Sequence, residues 1–139
     1  MRVMAIDYGD AHTGVAVSDR TGTLCGFSAV VDAYRPEALV ERLRTLIAEH
    51  EVTELVLGHP INMDGTRGPR AEKAEAFAET LRAATGLPVT LWDERLTTID
   101  AHNSLANNGK RAKERKKTVD AVAAALLLEG YLTYKKRNG

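Results

Sequence analysis

The sequence has little cysteine, few aromatic residues and no long hydrophobic run. Cys25 is the single cysteine among 139 residues, so an internal disulfide is excluded. No apolar stretch approaches the ~20 residues that a membrane-spanning helix needs, and residues 1–6 show neither the apolar core nor the cleavage site of a signal peptide. These absences argue against a disulfide-stapled secreted scaffold and predict a cytoplasmic protein that does not enter the membrane.

The chain also lacks net charge, but its charges are unevenly placed. Residues 110–117 contain six basic residues and one acid, and residues 135–137 are all basic. A neutral total can hide a nucleic-acid-binding patch beside an acidic region; a solvated loop and a frayed terminus are the alternative. With 44% apolar residues, the chain is expected to fold as one domain over residues 1–139 with a buried core.

Hydrophobic periodicity predicts the element order βββαβαβα. The predicted strands are Arg2–Tyr8, Gly14–Ser18, Leu24–Val31, Glu54–Leu57 and Val89–Trp92. The predicted helices are Pro36–His50, Pro69–Ala84, Thr98–Asn107 and Thr118–Tyr134, with the basic segment 110–117 as a loop before the last. The close spacing of the first three strands favours antiparallel pairing, and the strand–helix–strand units favour parallel pairing.

Acidic residues stand where ligands of open α/β sheets gather, outside the carboxyl ends of strands. Asp7 ends the first strand, before the hairpin Gly9–Gly14, whose glycines allow close backbone approach by a ligand. Asp93 and Glu94 follow the fifth strand, and because successive residues alternate, at most one can share a cleft with Asp7. Asp120 near the start of the last helix either offsets the helix dipole or serves as a metal ligand.

A convergent set of carboxylates predicts divalent cations, since the negative charges would otherwise repel each other. Mg²⁺ and Mn²⁺ prefer oxygen ligands, and Mg²⁺ keeps several waters beside substrate phosphate oxygens. Two such ions ~3.5–4 Å apart can activate a water and stabilise the leaving oxygen of a phosphodiester. The four histidines are scattered, so no zinc spacing is found. The interpretation without function is that these acids cap turns and helices.

Cationic residues near these acids are candidates for contact with phosphates. Arg67 and Arg70 precede or open the second helix, where backbone donors could join them, although a plain surface turn fits equally well. His59 could contact phosphate, but the interpretation that it is a turn residue is slightly favoured. Contacts to phosphate would position a strand without reading its sequence. The candidate nucleic-acid contacts are Arg67, Arg70, Arg95, Lys110, Arg111, Lys113, Arg115, Lys116 and Lys117.

The motifs around these residues resemble the YqgF or RuvX-like family along the whole chain. Family members are described as pre-16S ribosomal RNA nucleases or Holliday-junction resolvases with a ribonuclease H-like fold. The motifs that carry the resemblance are Asp7-Tyr8-Gly9, Gly14–Val17, Gly58-His59-Pro60, Asn62–Thr66, Asp93–Thr98 and Asp120 with Ala123, Ala124 and Leu127.

The resemblance implies a five-stranded mixed sheet with helices on both faces, a central first strand and an antiparallel second strand. It implies that Asp7, Glu94 and Asp120 are the catalytic and metal-binding residues, and it selects Glu94 rather than Asp93. The implied activity is metal-dependent endonucleolytic cleavage that processes the 5′ end of pre-16S ribosomal RNA, with Mg²⁺ or Mn²⁺. The chain departs from the family pattern at Asp10, where Thr or a similar residue is more usual, and at His12, where a basic residue is more usual.

Three alternatives stay open at this stage. The chain could be a Holliday-junction resolvase acting on branched DNA, or a non-catalytic nucleic-acid-binding factor in ribosome assembly. The first hairpin also looks like the phosphate loop of sugar kinases and actin-like proteins, but those need a second domain and a second such motif. Structured RNA is the favoured partner, and the sequence does not decide between a monomer and a homodimer.

Overall fold

Five strands and three helices make up the described part of the chain. The computed structural model describes residues 2–22, 24–62, 64–93 and 112–138, and in the last helix it describes side chains over 121–137. In chain order the elements are β1 Val3–Asp7, β2 His12–Ser18, β3 Cys25–Asp32, α1 Pro36–His50, β4 Glu54–His59, α2 Pro69–Thr85, β5 Val89–Asp93 and α3 Ala112–Asn138.

The strands form one mixed sheet in the order β3-β2-β1-β4-β5. β1 and β2 are antiparallel, as are β2 and β3, whereas β4 lies parallel to both β1 and β5. The predicted central first strand and antiparallel second strand are therefore confirmed. Because β1, β4 and β5 are parallel, their carboxyl ends meet at the same edge of the sheet, which we call the carboxyl edge.

Helices cover both faces of the sheet, as predicted. Met4 and Ile6 of β1 point into a core with α1 and α2, while Val3 and Ala5 point into a second core with α3. All four side chains are almost fully buried, as expected for a strand with period-two alternation between two covered faces. Burial of such apolar side chains stabilises the fold by roughly 1.5–3 kcal/mol each. The alternation of β1 thus decides which helix each of its side chains meets.

The ends of α1 and α2 follow local stereochemistry. Pro36 and Pro69 open the two helices, where a missing N–H loses no hydrogen bond. Gly86 ends α2 in the left-handed region at φ 70°, as its position predicts. Glu51 ends α1 at φ 55°, and its N–H donates to the Ile47 carbonyl. This last cap is unexpected, because a residue with a Cβ rarely adopts that conformation.

The last helix begins earlier than the sequence analysis predicts. α3 starts at Ala112 rather than Thr118, so residues 112–117 of the basic segment are helical and the predicted loop is wrong there. The physical reason is that alanine, lysine, glutamate and arginine are all good helix formers. Residues 112–117 therefore continue the helix that packs on the sheet. The predicted helix Thr98–Asn107 lies outside the described residues. None of the described helices has the length and apolar character required to cross a membrane.

Candidate active site

Asp7 is the last residue of the central strand and lies at the carboxyl edge. Since Val3 and Ala5 face α3, the alternation of β1 gives Asp7 the same side of the sheet. Its partner on β2 is Gly14. On the other side, Ile6 pairs with Leu57 of β4, so the next β4 residue, Gly58, stands beside Asp7.

Glycines flank Asp7 on both neighbouring strands, so neither adjacent position places a side chain beside it. Gly14 and Gly58 belong to the same face as Ala16 and Val56, which pack against α3. A glycine inside a strand weakens it and often marks a place where a ligand approaches closely. The carboxylate at position 7 therefore meets no side chain from the adjacent positions of β2 and β4.

Gly9 is required by the hairpin itself. A Cβ at this position would lie 2.2 Å from the carbonyl oxygen of His12, which is backbone and cannot move aside. The Gly9 N–H also donates to Thr13 Oγ1 at 3.3 Å. The sequence predicts that a ligand approaches the backbone closely here. At Gly9 the closely approaching group is instead the chain's own backbone at His12, and this packing fixes the shape of the hairpin after Asp7.

A cleft of about 360 Å³ crosses the carboxyl edge. The β1–β2 hairpin contributes one wall, with Asp7, Tyr8 and Asp10, and the start of α2 contributes the other, with Arg70 and Lys73. One wall thus carries carboxylates and the opposite wall carries cations. This distribution of charge suits a phosphodiester. Its anionic oxygens can contact the cations of one wall and a metal ion bound by the carboxylates of the other.

Tyr8 is held rigidly between the two walls. Its ring stacks on Phe77 of α2, with centroids 4.2 Å apart and an interplanar angle of 8°. Burial raises the pKa of the Tyr8 phenol, an effect that the positive charge of Lys73 opposes. Tyr8 therefore stays neutral at physiological pH and ties the hairpin to α2.

His59, Arg67 and Glu75 form a polar network beside the cleft. His59 Nε2 and Arg67 Nε each lie 2.7 Å from Glu75 Oε2, and a terminal nitrogen of Arg67 contacts the other oxygen. Hydrogen bonds from Arg67 and then from His59 lower the pKa of Glu75. The network anchors the loop between β4 and α2 to the second turn of α2. The Arg67 guanidinium is engaged by a carboxylate of its own chain, and its predicted contact with phosphate stays a prediction.

The other predicted site residues are only partly within the described structure. Asp120 lies in the described backbone of α3, as do positions 113, 115, 116 and 117, but the structure describes no side chains there. Across residues 2–22, 24–62, 64–93 and 121–137, no three His, Cys, Asp or Glu side chains are grouped as metal ligands. Of the three predicted carboxylates, the described side chains thus include Asp7 alone. The predicted site residues that lie wholly outside the described residues are Glu94, Arg95, Lys110 and Arg111.

Sequence analysis did not single out Lys73 and Glu75, which the structure places at the site. Both stand in a helix whose charged positions look like an ordinary solvated face. One signal was available, because a helix that follows a parallel strand begins at the carboxyl edge. Polar residues in its first two turns therefore deserved the same consideration as those at the strand ends.

Comparison with solved structures identifies the fold. RuvC from T. thermophilus in complex with a Holliday junction substrate superposes with a TM-score of 0.62 at 15% identity, covering 97% of this chain and 96% of that one. A second Thermus thermophilus RuvC structure gives a TM-score of 0.53 at 18% identity, covering 97% of each chain. The sheet order and the two helical layers therefore define a protein of the ribonuclease H-like class.

Comparison of sequences identifies the family. A family model described as RuvX, Holliday junction resolvase, matches residues 1–134. A relative from Halothermothrix orenii named "Putative pre-16S rRNA nuclease" is 42% identical over 137 residues, covering 99% of this chain and 98% of the relative. A relative of the same name from Listeria monocytogenes is 43% identical over 134 residues, covering 95% and 97%. The chain belongs to the RuvX family, a family of nucleases.

Proposed function

We propose that this protein is a metal-dependent endonuclease that processes the 5′ end of pre-16S ribosomal RNA, with Asp7, Glu94 and Asp120 as its catalytic and metal-binding carboxylates. The observation that carries the proposal is the position of Asp7. It ends the central strand, on the α3 side, with glycines beside it on both neighbouring strands. The name shared by the curated relatives supports the choice of RNA.

Backbone geometry supports the participation of Asp120. Tyr131 of α3 donates a hydrogen bond to Glu54 at the start of β4, which places that part of the helix at the amino end of the strand. Position 120 is eleven residues earlier, or about 16 Å along the helix axis. Gly58, beside Asp7, is four residues beyond Glu54, or about 13 Å along the strand. An α3 axis that runs along the strand would bring position 120 level with Asp7, on the face of the sheet that α3 covers.

The alternation of β5 supports Glu94 rather than Asp93. Val89 and Leu91 pack into the core with α1 and α2, whereas Trp92 packs into the core with α3. Trp92 is paired with Gly58, and so lies at the level of Asp7. Continued alternation would give position 94 the side of Trp92 and of Asp7. Pleat geometry therefore favours the same acid that the family resemblance favours.

The residues present suit a hard divalent cation such as Mg²⁺ or Mn²⁺. Asp7 supplies oxygen ligands, which these ions prefer, and the glycines at positions 14 and 58 place no side chain beside them. When bound, the metal would supply activation of the attacking water and stabilisation of the leaving oxygen. The chain itself would orient the carboxylates, hold the phosphates with cations and shape the cleft around the substrate strand.

The basic segment and the cationic wall are proposed to hold the nucleic acid. Positions 113, 115, 116 and 117 belong to the same helix as position 120, and extend it by about 10 Å past that position. Arg70 lines the cleft on the opposite side. Together with Arg67, Arg95, Lys110 and Arg111, these cations would neutralise phosphates on both sides of the cut. We propose a cytoplasmic location, as a monomer or a homodimer.

A cleavage assay tests the proposal. Structured pre-16S precursor RNA, a four-way DNA junction and single-stranded RNA are each incubated with wild-type protein and with Asp7→Asn, Glu94→Gln and Asp120→Asn, with Mg²⁺, with Mn²⁺ and with EDTA. We expect cleavage of the precursor that depends on metal and is lost in every variant. Circular dichroism must show that the variants fold. Equal turnover by Asp7→Asn and wild type would reject the catalytic assignment.

A second candidate activity is resolution of Holliday junctions. It is favoured by the description of the family model, and a resolvase would be expected to act as a symmetric dimer because two strands are cut. Cleavage of the four-way junction with no cleavage of precursor RNA would select it. Tight RNA binding without cleavage under any metal condition would select the non-catalytic assembly factor instead.

A further inference from the structure

Three cations lie beside the cleft, and they differ in their ion-pair partners. The guanidinium of Arg67 makes two contacts with Glu75 and serves the loop network. Arg70 has no ion-pair partner among the described residues. Lys73 contacts Asp10 across the mouth of the cleft, with Nζ 3.2 Å from Oδ1. Lys73 is therefore a cation that lines the cleft and is already occupied by a carboxylate from the opposite wall.

This ion pair is of a kind that a stronger ligand displaces easily. The side chains of Lys73 and Asp10 are 65% and 92% exposed, so water screens their attraction. Exposed pairs contribute little, because ordering two side chains offsets the weak Coulomb gain. A phosphate has several acceptor oxygens, and a lysine ammonium has three donors to offer. The pair joins the β1–β2 hairpin to α2 by charge.

Asp10 supplies the carboxylate of this pair from the β1–β2 hairpin. A neutral residue at this position would leave the ammonium of Lys73 without that carboxylate. The acid therefore adds a competitor for a cation that faces the substrate cleft. It also adds negative charge near Asp7, where a nucleic-acid strand must enter.

We propose that Lys73 binds a phosphate that flanks the scissile one, and that Asp10 occupies Lys73 in the free protein and is displaced when the strand enters. The proposal rests on the proposed function, since it takes the cleft to be the path of a nucleic-acid strand. Lys73 stands on the α2 side of the carboxyl edge and Asp7 on the α3 side. A flanking phosphate, rather than the one being cut, is thus the group within its reach. Asp10 would act as an internal stand-in for that phosphate.

A double-mutant cycle on binding tests this assignment. The dissociation constant for fluorescein-labelled pre-16S precursor RNA is measured by anisotropy, with Ca²⁺ in place of Mg²⁺, for wild type, Asp10→Asn, Lys73→Met and the double variant. We expect Asp10→Asn to tighten binding by about threefold, the scale of an exposed ion pair. That gain should vanish in the Lys73→Met background. Lys73→Met should lower the slope of log Kd against log salt by about 0.7–0.9, the effect of one lost phosphate contact.

Two variants keep the result specific. Glu41→Gln breaks the exposed pair with Arg44 on α1, and so changes net charge as Asp10→Asn does, at a place away from the cleft. We expect it to leave binding unchanged. Lys73→Arg keeps the charge and should retain the salt slope. Thermal melts must show that all variants fold, which is expected because the substituted side chains are exposed.

The outcomes separate this proposal from the proposed function. Equal tightening by Asp10→Asn and Glu41→Gln, or a gain from Asp10→Asn that persists without Lys73, would overturn the role of the pair. If wild type cleaves RNA but the cycle shows no coupling, this inference fails and the nuclease assignment stands. If coupling is found but no cleavage occurs, the exchange of Asp10 for a phosphate on Lys73 stands and the catalytic assignment fails. Absence of binding to the RNA probe overturns the inference.

Discussion

Asp7 of β1 pairs with Gly14 of β2, so the neighbouring strand places no side chain beside the carboxylate. Because paired residues of an antiparallel ladder point to the same face, a side chain at position 14 would stand about 4.5–5.5 Å from that of Asp7. The lack of a side chain beside Asp7 at this position is therefore fixed by the pairing of two strands rather than by a loop.

Gly14→Val should reduce cleavage, and because Gly14 is buried, circular dichroism must first show that the variant folds. Valine favours strands, but its methyl groups would occupy the room that a hydrated cation needs, and we expect a loss on the order of tenfold, as for other disturbances around metal ligands. Initial rates over a range of Mn²⁺ concentrations measure the effect. Ser28→Val, at an exposed site of β3, is the matched control. Full activity of a folded Gly14→Val protein would show that this space is not used.

Metal should stabilise the wild-type protein but not Asp7→Asn. A ligand that binds only the folded state at about 100 times its Kd adds about 2.7 kcal/mol to the free energy of unfolding. If Glu94 and Asp120 converge on Asp7 as proposed, Asp7→Asn should melt above wild type in EDTA, because one of the mutually repelling negative charges is removed. Melting temperatures with and without Mn²⁺ provide the measurement, with Glu41→Gln as the charge-matched control. The same metal-induced rise in both proteins would contradict a metal site at Asp7.

The network of His59, Arg67 and Glu75 should make stability depend on pH. The pKa of Glu75 is lowered from its ordinary value of 4.5, first by Arg67 and then by His59. A folded-state pKa below the unfolded value stabilises the protein above the unfolded pKa, and this contribution is lost as the pH falls through the lowered folded value. Wild type should therefore melt above Glu75→Gln at pH 6–7, and the difference should shrink below about pH 4.5.

Glu79→Gln is the control for that measurement, since Glu79 also lies on α2 and pairs with an arginine, Arg82, without involving the loop. Its difference from wild type should be small over the whole pH range. A Glu75→Gln protein that is as stable as wild type at neutral pH would show that the network does not hold the β4–α2 loop.

The helical basic segment should bind phosphates. Replacement of Lys113, Arg115, Lys116 and Lys117 by glutamine preserves helix propensity, so circular dichroism should show no loss of helix. The slope of log Kd against log salt should fall by about 0.7–0.9 for each phosphate contact removed. Lys136→Gln with Arg137→Gln, at the opposite end of α3, should leave the slope unchanged. An unaltered slope in the fourfold variant would show that the segment does not contact nucleic acid.

Local patterns in the sequence determined most of the secondary structure. Pro36, Pro69 and Gly86 act through their own backbone stereochemistry, and the apolar spacing of Leu39, Val40 and Leu43 reports one buried helix face. The start of α3 at Ala112 does not follow from charge, because residues 112–117 combine a charge run that is typical of a solvated loop with high helix propensity. Neighbours in sequence carry enough information when the interaction lies within a few residues.

Tertiary structure alone decided which side chains meet at the carboxyl edge. Lys73 and Asp10 are 63 residues apart, and His59 and Glu75 are 16 apart, so no periodicity or spacing connects them. Sequence alternation predicts opposite faces for Asp93 and Glu94, but only the packing of Trp92 into the core with α3 indicates which of these faces Asp7 shares. The physical reason is that a strand's own pattern defines two faces, whereas the packing of the helices determines which face becomes the site.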